Sequence, residues 1–172
     1  LVCMFAMPAF AADWDVNGDA GCSDATGSPY YCHIQAAIDK SASGDTIKVH
    51  PGTYAETLVI AKHIKLVGAG SGSDPASSTV LQPPSGNVVT ITGSGESDSN
   101  PLLLKSLRIK PQGTVGINLG NTDLSAPQTM SYIRLEDVQV VGTLNQSHKE
   151  NERGISLDLN KSVAHLAVVN SG

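Results

Sequence analysis

The chain has 172 residues and a formal net charge of −5, with 40% hydrophobic, 4% aromatic and 16% charged residues. This composition is too apolar and too weakly charged for a disordered tail. The acidic balance argues against nucleic acid as a partner, because a nucleic-acid binder needs a basic face. The few aromatics and the 17 glycines favour many short strands joined by turns over a helical bundle.

An apolar run, LVCMFAMPAFAA, occupies residues 1–12 and ends in small residues. Residues 9–11 have the A-x-A form of a signal-peptidase site, which predicts that residues 1–11 are the end of a secretory signal peptide. The run is shorter than the roughly 20 apolar residues of a membrane span. The alternative is an apolar first strand or a buried N-terminal arm. We therefore expect a secreted, periplasmic or cell-surface protein with no membrane span in its mature chain.

Two cysteines follow the predicted signal peptide. Cys3 lies within that peptide, whereas Cys22 and Cys32 form an even pair in an oxidising compartment. We expect these two to form a disulfide that closes a small loop within a leader of residues 12–33. The alternatives are two free thiols or a metal pair, although no His/Cys cluster at zinc spacing accompanies them.

The leader also carries a calcium-loop pattern. Asp13, Asp15, Asn17, Gly18 and Asp24 occupy positions 1, 3, 5, 6 and 12 of a D-x-D-x-N-G loop. Calcium takes about six to eight oxygen ligands, and the glycine permits the sharp turn. The pattern departs from the EF-hand in its Asp at position 12 and in its lack of helical flanks. The spacing predicts calcium as a candidate ligand, and the alternative is a polar leader bent back by the disulfide.

A short helix is predicted next, followed by strands. Ile34, Ala37 and Ile38 recur at the i, i+3, i+4 spacing of one helix face. The sequence Ser-Gly-Asp at 43–45 ends this helix, with Gly44 as a left-handed C-cap. The apolar period then changes to 2, and clusters of Gly, Asn, Ser and Pro separate the runs. The runs lie at 46–49, 57–60, 64–66, 79–81, 88–92, 102–104, 107–110, 115–119, 132–141, 154–159 and 164–169.

Strands this short must combine into a sandwich, a barrel or a stacked solenoid to bury a core. Residues 106–109 are echoed 31 residues later by 137–140, and residues 115–119 are echoed 38 residues later by 153–157. Such offsets suit one repeat with a loop of variable length, and the early helix suits a cap over the first strand edges. We predict an all-β solenoid over residues 34–172, incomplete at its C-terminus, with a β-sandwich as the alternative.

Five phrases within residues 34–81 resemble one superfamily. In chain order they are IQAAID, GDTIKV, PGTYAE, LVGAG and STVL. This order resembles the N-terminal part of the right-handed parallel β-helix proteins of the pectin-lyase-like superfamily, which are secreted and surface bacterial proteins. The resemblance implies a right-handed parallel β-helix with a short N-terminal capping helix. Residues 82–172 resemble that fold only in strand spacing and in their Gly-Ile phrases.

The resemblance implies a polysaccharide as substrate or ligand without identifying a catalytic residue. The phrase GTYAE is similar to the first G-x-Y-x-E signature of pectin methylesterases, but the later signatures, which carry that family's catalytic carboxylates and arginine, are absent. A polygalacturonase-type hydrolase needs paired aspartates, and Asp137 and Asp158 stand alone. If the protein is a polysaccharide lyase, esterase or hydrolase, we expect its catalytic residues outside these 172 residues.

The PGTYAE phrase also has a structural interpretation. Pro51 and Gly52 turn the chain. We expect Tyr54 to pack on the neighbouring coil and Glu56 to accept hydrogen bonds from turn amides. This interpretation gives Glu56 a role in folding and not in catalysis.

Three cations stand between apolar neighbours in the predicted strands, namely Lys65, Arg108 and Arg134. If the neighbours point inward, the cationic side chains point outward. One outward row on strands about 4.8 Å apart would form a groove for a polyanion such as a uronate polymer. The alternative is that the three lie on different faces and only keep the surface soluble.

Two function classes follow from these patterns. The first is an exported protein that acts on or binds an acidic extracellular polysaccharide. The second is a non-catalytic surface or adhesion solenoid. The five histidines are scattered without metal-ligand spacing, and Trp14 is the single tryptophan available for stacking on a sugar.

Overall fold

The computed structural model describes residues 11–18, 21–112, 115–120, 128–142, 153–157, 161–163 and 166–171. These residues form a parallel β-solenoid of about four turns with one short helix, which confirms the predicted fold class. The elements in chain order are β1 (Asp13–Val16), α1 (Ile34–Lys40), β2 (Thr46–Val49), β3 (Gly52–Tyr54), β4 (Leu58–Ile60), β5 (Lys65–Gly68), β6 (Thr79–Leu81), β7 (Val89–Ile91), β8 (Leu102–Ile109), β9 (Val115–Leu119), β10 (Gln128–Met130), β11 (Ile133–Val140), β12 (Arg153–Leu157), β13 (Lys161–Val163) and β14 (Leu166–Val169).

Three sheets carry the described coils, and the third consists of β10 and β13 alone. The larger sheet has the order β1-β2-β5-β8-β11-β14, and β6 extends it by pairing with the second half of β8 on one side and with β3 on the other. The second sheet has the order β4-β7-β9-β12. The strands of all these pairs run parallel, so equivalent positions of successive coils stack in rows.

The core consists of stacked aliphatic side chains inside the coils. Ile47, Leu66, Leu104 and Leu135 follow one another in register across β2, β5, β8 and β11. Each of these side chains is at most 1% exposed. Burial of one such side chain contributes about 1.5–3 kcal/mol. The apolar residues that alternate with a period of 2 in the sequence thus form the inward rows of the solenoid.

β8 and β11 each run along two faces of the solenoid because each bends at a single residue. Ser106 and Asp137 have φ values of 53° and 52°, in the left-handed region that few non-glycine residues adopt. The register pairs Leu107 with Val138, directly after the two bends, so one bend stacks on the other. A Cβ at Gly68 would overlap the backbone oxygen of Ser106, so this corner requires glycine on the preceding coil.

Helix α1 covers the end of the first coil. Its residues Ile34, Ala37 and Ile38 are buried in the core, and the helix contacts β1, β2 and β4. The predicted C-cap at Gly44 is wrong, because the helix ends at Lys40 and its C-cap residue is extended. Gly44 has a φ of 95° but lies in the following turn, where it meets the next connection of the solenoid.

The leader adds a strand and a closed loop to this cap. β1 pairs in parallel with β2, and Cys22 and Cys32 form the predicted disulfide. The segment after the loop bonds to β1, because the Tyr31 N–H donates to the Asp15 oxygen and the Asn17 N–H donates to the Tyr31 oxygen, both at 2.9 Å. Residues 1–10 of the predicted signal peptide lie outside the described residues.

Candidate functional site

Lys65, Lys105 and Arg134 lie on the outward side of the larger sheet, and we call this surface the cationic face. Leu103 is the register partner of both Lys65 and Arg134. These two cations therefore share one row and stand two strands apart, a distance of about 9.6 Å. Lys105 lies on the strand between them, two residues after Leu103. Lys65 and Arg134 thus lie in one outward row, while polyanion binding stays a prediction.

One carboxylate partly neutralises the cationic face. Glu136 accepts a hydrogen bond of 2.6 Å from Lys105 Nζ and one of 3.3 Å from Arg134 Nε. The hydrogen bond from Lys105 is the main cause that lowers the pKa of Glu136. Among the residues that the structure describes, no hydrogen bond or ion pair involves the Lys65 side chain. On β5, β8 and β11 the face thus combines three cations with one anion, and Asp13 of β1 lies in the row of Lys65 two strands away.

Arg108 does not belong to this row, so the predicted row of three cations is wrong at this position. The register places Arg108 beside Val80 of β6 and Gln139 of β11, beyond the bend at Ser106. Its Nη1 atom donates to the Ser71 oxygen at 3.3 Å and to Gln139 Oε1 at 3.1 Å. The bend turns the second half of β8 onto another face of the solenoid and carries Arg108 with it.

A cleft of about 250 Å³ borders the Arg134 end of the cationic face. Asp98 and Tyr132 line it together with Arg134. The connection between β7 and β8 forms one wall, and its Gly95 N–H donates to the Ser131 oxygen at 2.9 Å. An aromatic ring, a guanidinium and a carboxylate are groups that stack on, pair with and hydrogen-bond to an acidic sugar.

The aspartates of the calcium pattern do not come together. Asp13 pairs with Lys48 at 2.6 Å, and Asp15 Oδ1 lies 3.4 Å from His50 Nε2. The predicted loop geometry is wrong, because the first four positions of the calcium pattern form the extended strand β1. The Asn17 N–H donates to the Tyr31 oxygen, and the Asp24 carboxylate accepts hydrogen bonds from Cys32 and His33. No group of three or more His, Cys, Asp or Glu in the described part of the chain is placed to hold a metal ion. Calcium binding stays a prediction.

A second cleft, which we call the N-terminal cleft, lies between β3 and the disulfide loop. Its volume is about 300 Å³, and it is lined by Gly18, Cys32, His33 and residues 51–56. No pattern in the sequence indicates this cleft, because its two walls come from segments about 20 residues apart that have no shared motif.

Asp24 fixes the position of His33 at the edge of the N-terminal cleft. Its Oδ2 atom lies 2.6 Å from His33 Nδ1, and its Oδ1 atom accepts the N–H groups of Cys32 and His33 at 2.9 and 3.1 Å. The hydrogen bond between the side chains is the main cause that raises the pKa of His33 and lowers the pKa of Asp24. The calcium-loop spacing predicts a different role for Asp24, and no pattern in the sequence indicates this pair.

Glu56 and Lys62 hold the two ends of α1. Glu56 accepts the N–H groups of Ile34 and Gln35 at 2.8 and 3.0 Å. Lys62 Nζ donates to carbonyl groups at the last turn, including that of Ser41 at 2.8 Å. A negative group at the helix start and a positive group at its end both match the helix dipole. The expectation that Glu56 binds amides is confirmed, but the amides belong to the helix and not to a turn.

Tyr54 packs on the neighbouring coil as expected. Its ring is buried, and its hydroxyl donates to the His50 oxygen at 3.1 Å and lies 3.5 Å from the Val16 oxygen of β1. The residues of the PGTYAE phrase therefore join the first coil to the cap.

The fold and the disulfide define the class of protein as a disulfide-bonded parallel β-solenoid. No family model matches the chain, and no curated protein or solved structure shows a significant match. In the described part of the chain, none of the helical segments has the length and hydropathy to cross a membrane.

Proposed function

We propose that this solenoid binds an acidic extracellular polysaccharide through its cationic face. One observation carries the proposal, namely the placement of Lys65 and Arg134 in one outward row on strands of the same sheet. The chain as a whole is acidic, with a formal charge of −5, and therefore repels a polyanion. A local excess of cations would attract the polyanion to this face.

The geometry of the row suits a linear polymer. A chain that lies across β5, β8 and β11 meets a cation at intervals of about 9.6 Å. Leu103 is half-buried between Lys65 and Arg134 and offers apolar contact to the C–H groups of a sugar ring. The cleft beside Arg134 provides Tyr132 and Asp98 at the end of this path.

We propose binding, and not catalysis, for the described coils, because several of their carboxylates serve the fold. Glu56 accepts two helix amides. Asp45 accepts the N–H groups of Ala12 and Ala42 and the indole N–H of Trp14. Asp24 binds the segment around His33. Glycoside hydrolysis needs an acid and a base on either side of the scissile bond, and these carboxylates are committed to backbone groups.

We also propose that the protein is exported and belongs to the pectin-lyase-like superfamily. The disulfide between Cys22 and Cys32 supports an oxidising compartment. The order of the phrases from IQAAID to STVL supports the superfamily. The alternative function is a surface or adhesion solenoid that binds no polysaccharide, and the Lys105–Glu136 ion pair favours it by lowering the net charge of the face.

The test compares the binding of polygalacturonate with that of neutral dextran by isothermal titration calorimetry at two salt concentrations. We expect polygalacturonate to bind and its affinity to fall with salt, whereas dextran does not bind. Lys65→Glu should weaken the affinity about tenfold, or about 1.4 kcal/mol. Lys40→Glu makes the same charge change on the exposed end of α1 and should have little effect. Equal effects of the two substitutions would refute a site at the cationic face.

A further inference from the structure

The first coil presents three strand edges toward the N-terminal end, and the first of them is covered by a side chain. In a parallel sheet the backbone groups of alternate residues point to opposite neighbours. The backbone N–H and C=O groups of Leu58 and Ile60 point toward β7. The backbone groups of Val59 therefore point to the free edge of β4. Gln35 covers this edge, because its Oε1 accepts the Val59 N–H at 2.8 Å and its Nε2 donates to the Val59 oxygen at 3.2 Å.

The second edge is covered by backbone. Residues 12 and 16 of the β1 segment accept hydrogen bonds from the β2 side, so Asp15 and Asn17 face away from β2. Tyr31 meets both of them, with two hydrogen bonds of 2.9 Å. The cap therefore satisfies the outward backbone groups at two of the three edges, by different means.

The third edge, that of β3, has no strand on its outer side among the described residues. Among the described strands, β3 pairs with β6 alone. The Gly52 N–H donates to the Ser78 oxygen at 3.0 Å, and the Tyr54 oxygen accepts the Gln82 N–H at 2.9 Å. Thr53 lies between them, so its N–H and C=O point away from β6. Within the described residues neither group has a hydrogen-bond partner, and the N-terminal cleft lies along this strand.

We propose that the N-terminal cleft binds an extended peptide of a partner protein, which adds a strand to the free edge of β3. Thr53 offers a donor and an acceptor side by side, and the N–H and C=O of one residue in an antiparallel strand can satisfy both, as the carboxamide of Gln35 does at Val59. Addition of a strand to an open sheet edge is a common mode of peptide recognition. This site is separate from the cationic face and does not depend on polysaccharide binding.

The charges around the cleft select a basic peptide. Glu56 lines the cleft, and Asp24 lies behind His33 at its edge. The two carboxylates outweigh the single imidazole in either protonation state of His33. A Lys or Arg at or beside the paired residue is therefore attracted, and an acidic residue is repelled. The volume of about 300 Å³ admits the central part of a strand, while its ends extend into solvent.

The test uses the whole chain and a pentapeptide of sequence Thr-Val-Lys-Val-Thr, acetylated and amidated at its ends. Amide hydrogen exchange is measured by NMR at Gly52 and Thr53. In the free protein we expect the Thr53 amide to exchange at least about tenfold faster than the Gly52 amide, which is bonded to β6. Saturating peptide should slow exchange at Thr53 about tenfold and leave Gly52 unchanged. Slow exchange at Thr53 in the free chain would overturn the proposal.

Two altered peptides and two variants serve as controls. Replacement of the peptide's Lys by Glu should weaken binding about tenfold, and N-methylation of the Lys residue should abolish it by removing the paired N–H. Thr53→Ala keeps the backbone groups and should bind as the native chain does, whereas Thr53→Pro lacks the N–H and should not bind. If Thr53→Pro does not fold, the comparison of the N-methylated peptide with the unmodified peptide on the native chain still tests the strand addition. Absence of binding, or binding that leaves the Thr53 amide unprotected, would refute the strand addition.

Discussion

Gln35 closes the free edge of β4 by forming two hydrogen bonds with the backbone of Val59. A side-chain amide on the helix thus takes the place of a preceding strand. We expect Gln35→Ala to lower the free energy of unfolding by about 1–2 kcal/mol, since the two exposed hydrogen bonds to Val59 are lost together with the one to Asp39. Urea denaturation measures this change. Asp39→Ala removes only the bond from Gln35 Nε2 to Asp39, and an equal effect of both substitutions would contradict the edge-closing role.

The carboxylate of Glu56 anchors the start of α1. Glu56→Ala should reduce the free energy of unfolding by about 1–2 kcal/mol, because two helix amides lose their acceptor. Thermal unfolding followed by circular dichroism provides the measurement. Glu56→Gln keeps one acceptor oxygen and should fall between the native protein and Glu56→Ala. A native-like melting temperature of Glu56→Ala would show that the cap does not depend on this contact.

The pair of Asp24 and His33 predicts a defined pH window of added stability. The folded pKa of His33 is raised above 6.5, so its contribution is complete below pH 6.5 and is lost as the pH rises through the raised value. The folded pKa of Asp24 is lowered below 3.8, so its contribution is complete above pH 3.8 and is lost as the pH falls through the lowered value.

The stabilisation by this pair should therefore be greatest between about pH 4 and pH 6.5. The melting temperatures of the native protein and of His33→Asn, measured from about pH 3 to pH 9, give the difference that tests this. His50→Asn serves as a control, because it removes a histidine that lies farther from its carboxylate, at 3.4 Å. A difference for His33→Asn that does not vary with pH would be inconsistent with the ion pair.

His63 is buried, and its ring forms no hydrogen bond with any of the described residues. Its side chain is 4% exposed, Nδ1 lies 3.4 Å from Glu96 Oε1, and neither ring nitrogen has a hydrogen-bond partner within the described residues. We expect His63→Phe to keep or raise the free energy of unfolding, because unsatisfied polar atoms leave the interior. Ile64→Ala should instead lower it by about 2–5 kcal/mol. A loss of more than about 1 kcal/mol in His63→Phe would mean that the imidazole is hydrogen-bonded.

Gly68 permits the close contact between β5 and the corner of the next coil. A Cβ at this position would overlap the Ser106 backbone oxygen and also lie 2.7 Å from a Leu107 methyl carbon. We expect Gly68→Ala to destabilise the fold by about 3 kcal/mol or more, since backbone must shift. Gly72→Ala is the matched control, because its Cβ meets only the rotatable Ser78 hydroxyl. Equal melting temperatures of the two variants would refute the close contact.

The solenoid could be predicted from the sequence because most of its inward positions are apolar. Residues 46–49, 79–81 and 115–119 were predicted as apolar runs and form β2, β6 and β9. The offset of 31 residues between residues 106–109 and 137–140 is the register of β11 on β8. Here the local pattern and the long-range pairing agree, since each coil repeats the same inward positions.

β1 and the corner at Ser106 could not be predicted in the same way. The acidic residues of β1 match a calcium-loop spacing, and the strand becomes evident only from its pairing with β2 more than 30 residues later. Ser106 adopts a positive φ that its residue type does not favour. Arg108 lies on another face because of this bend. Because the sequence does not indicate the bend, the sequence alone places Arg108 in one row with Lys65 and Arg134.

The stacking of coils has a consequence for the order in which the protein folds. β1, α1 and β2 to β4 lie within the first 60 residues, and the helix contacts β1, β2 and β4. β7 pairs with β4, and β11 pairs with β8, each about 31 residues after its partner. The capped first coil can thus serve as a template during synthesis, and each following coil has its complete pairing surface as soon as it leaves the ribosome.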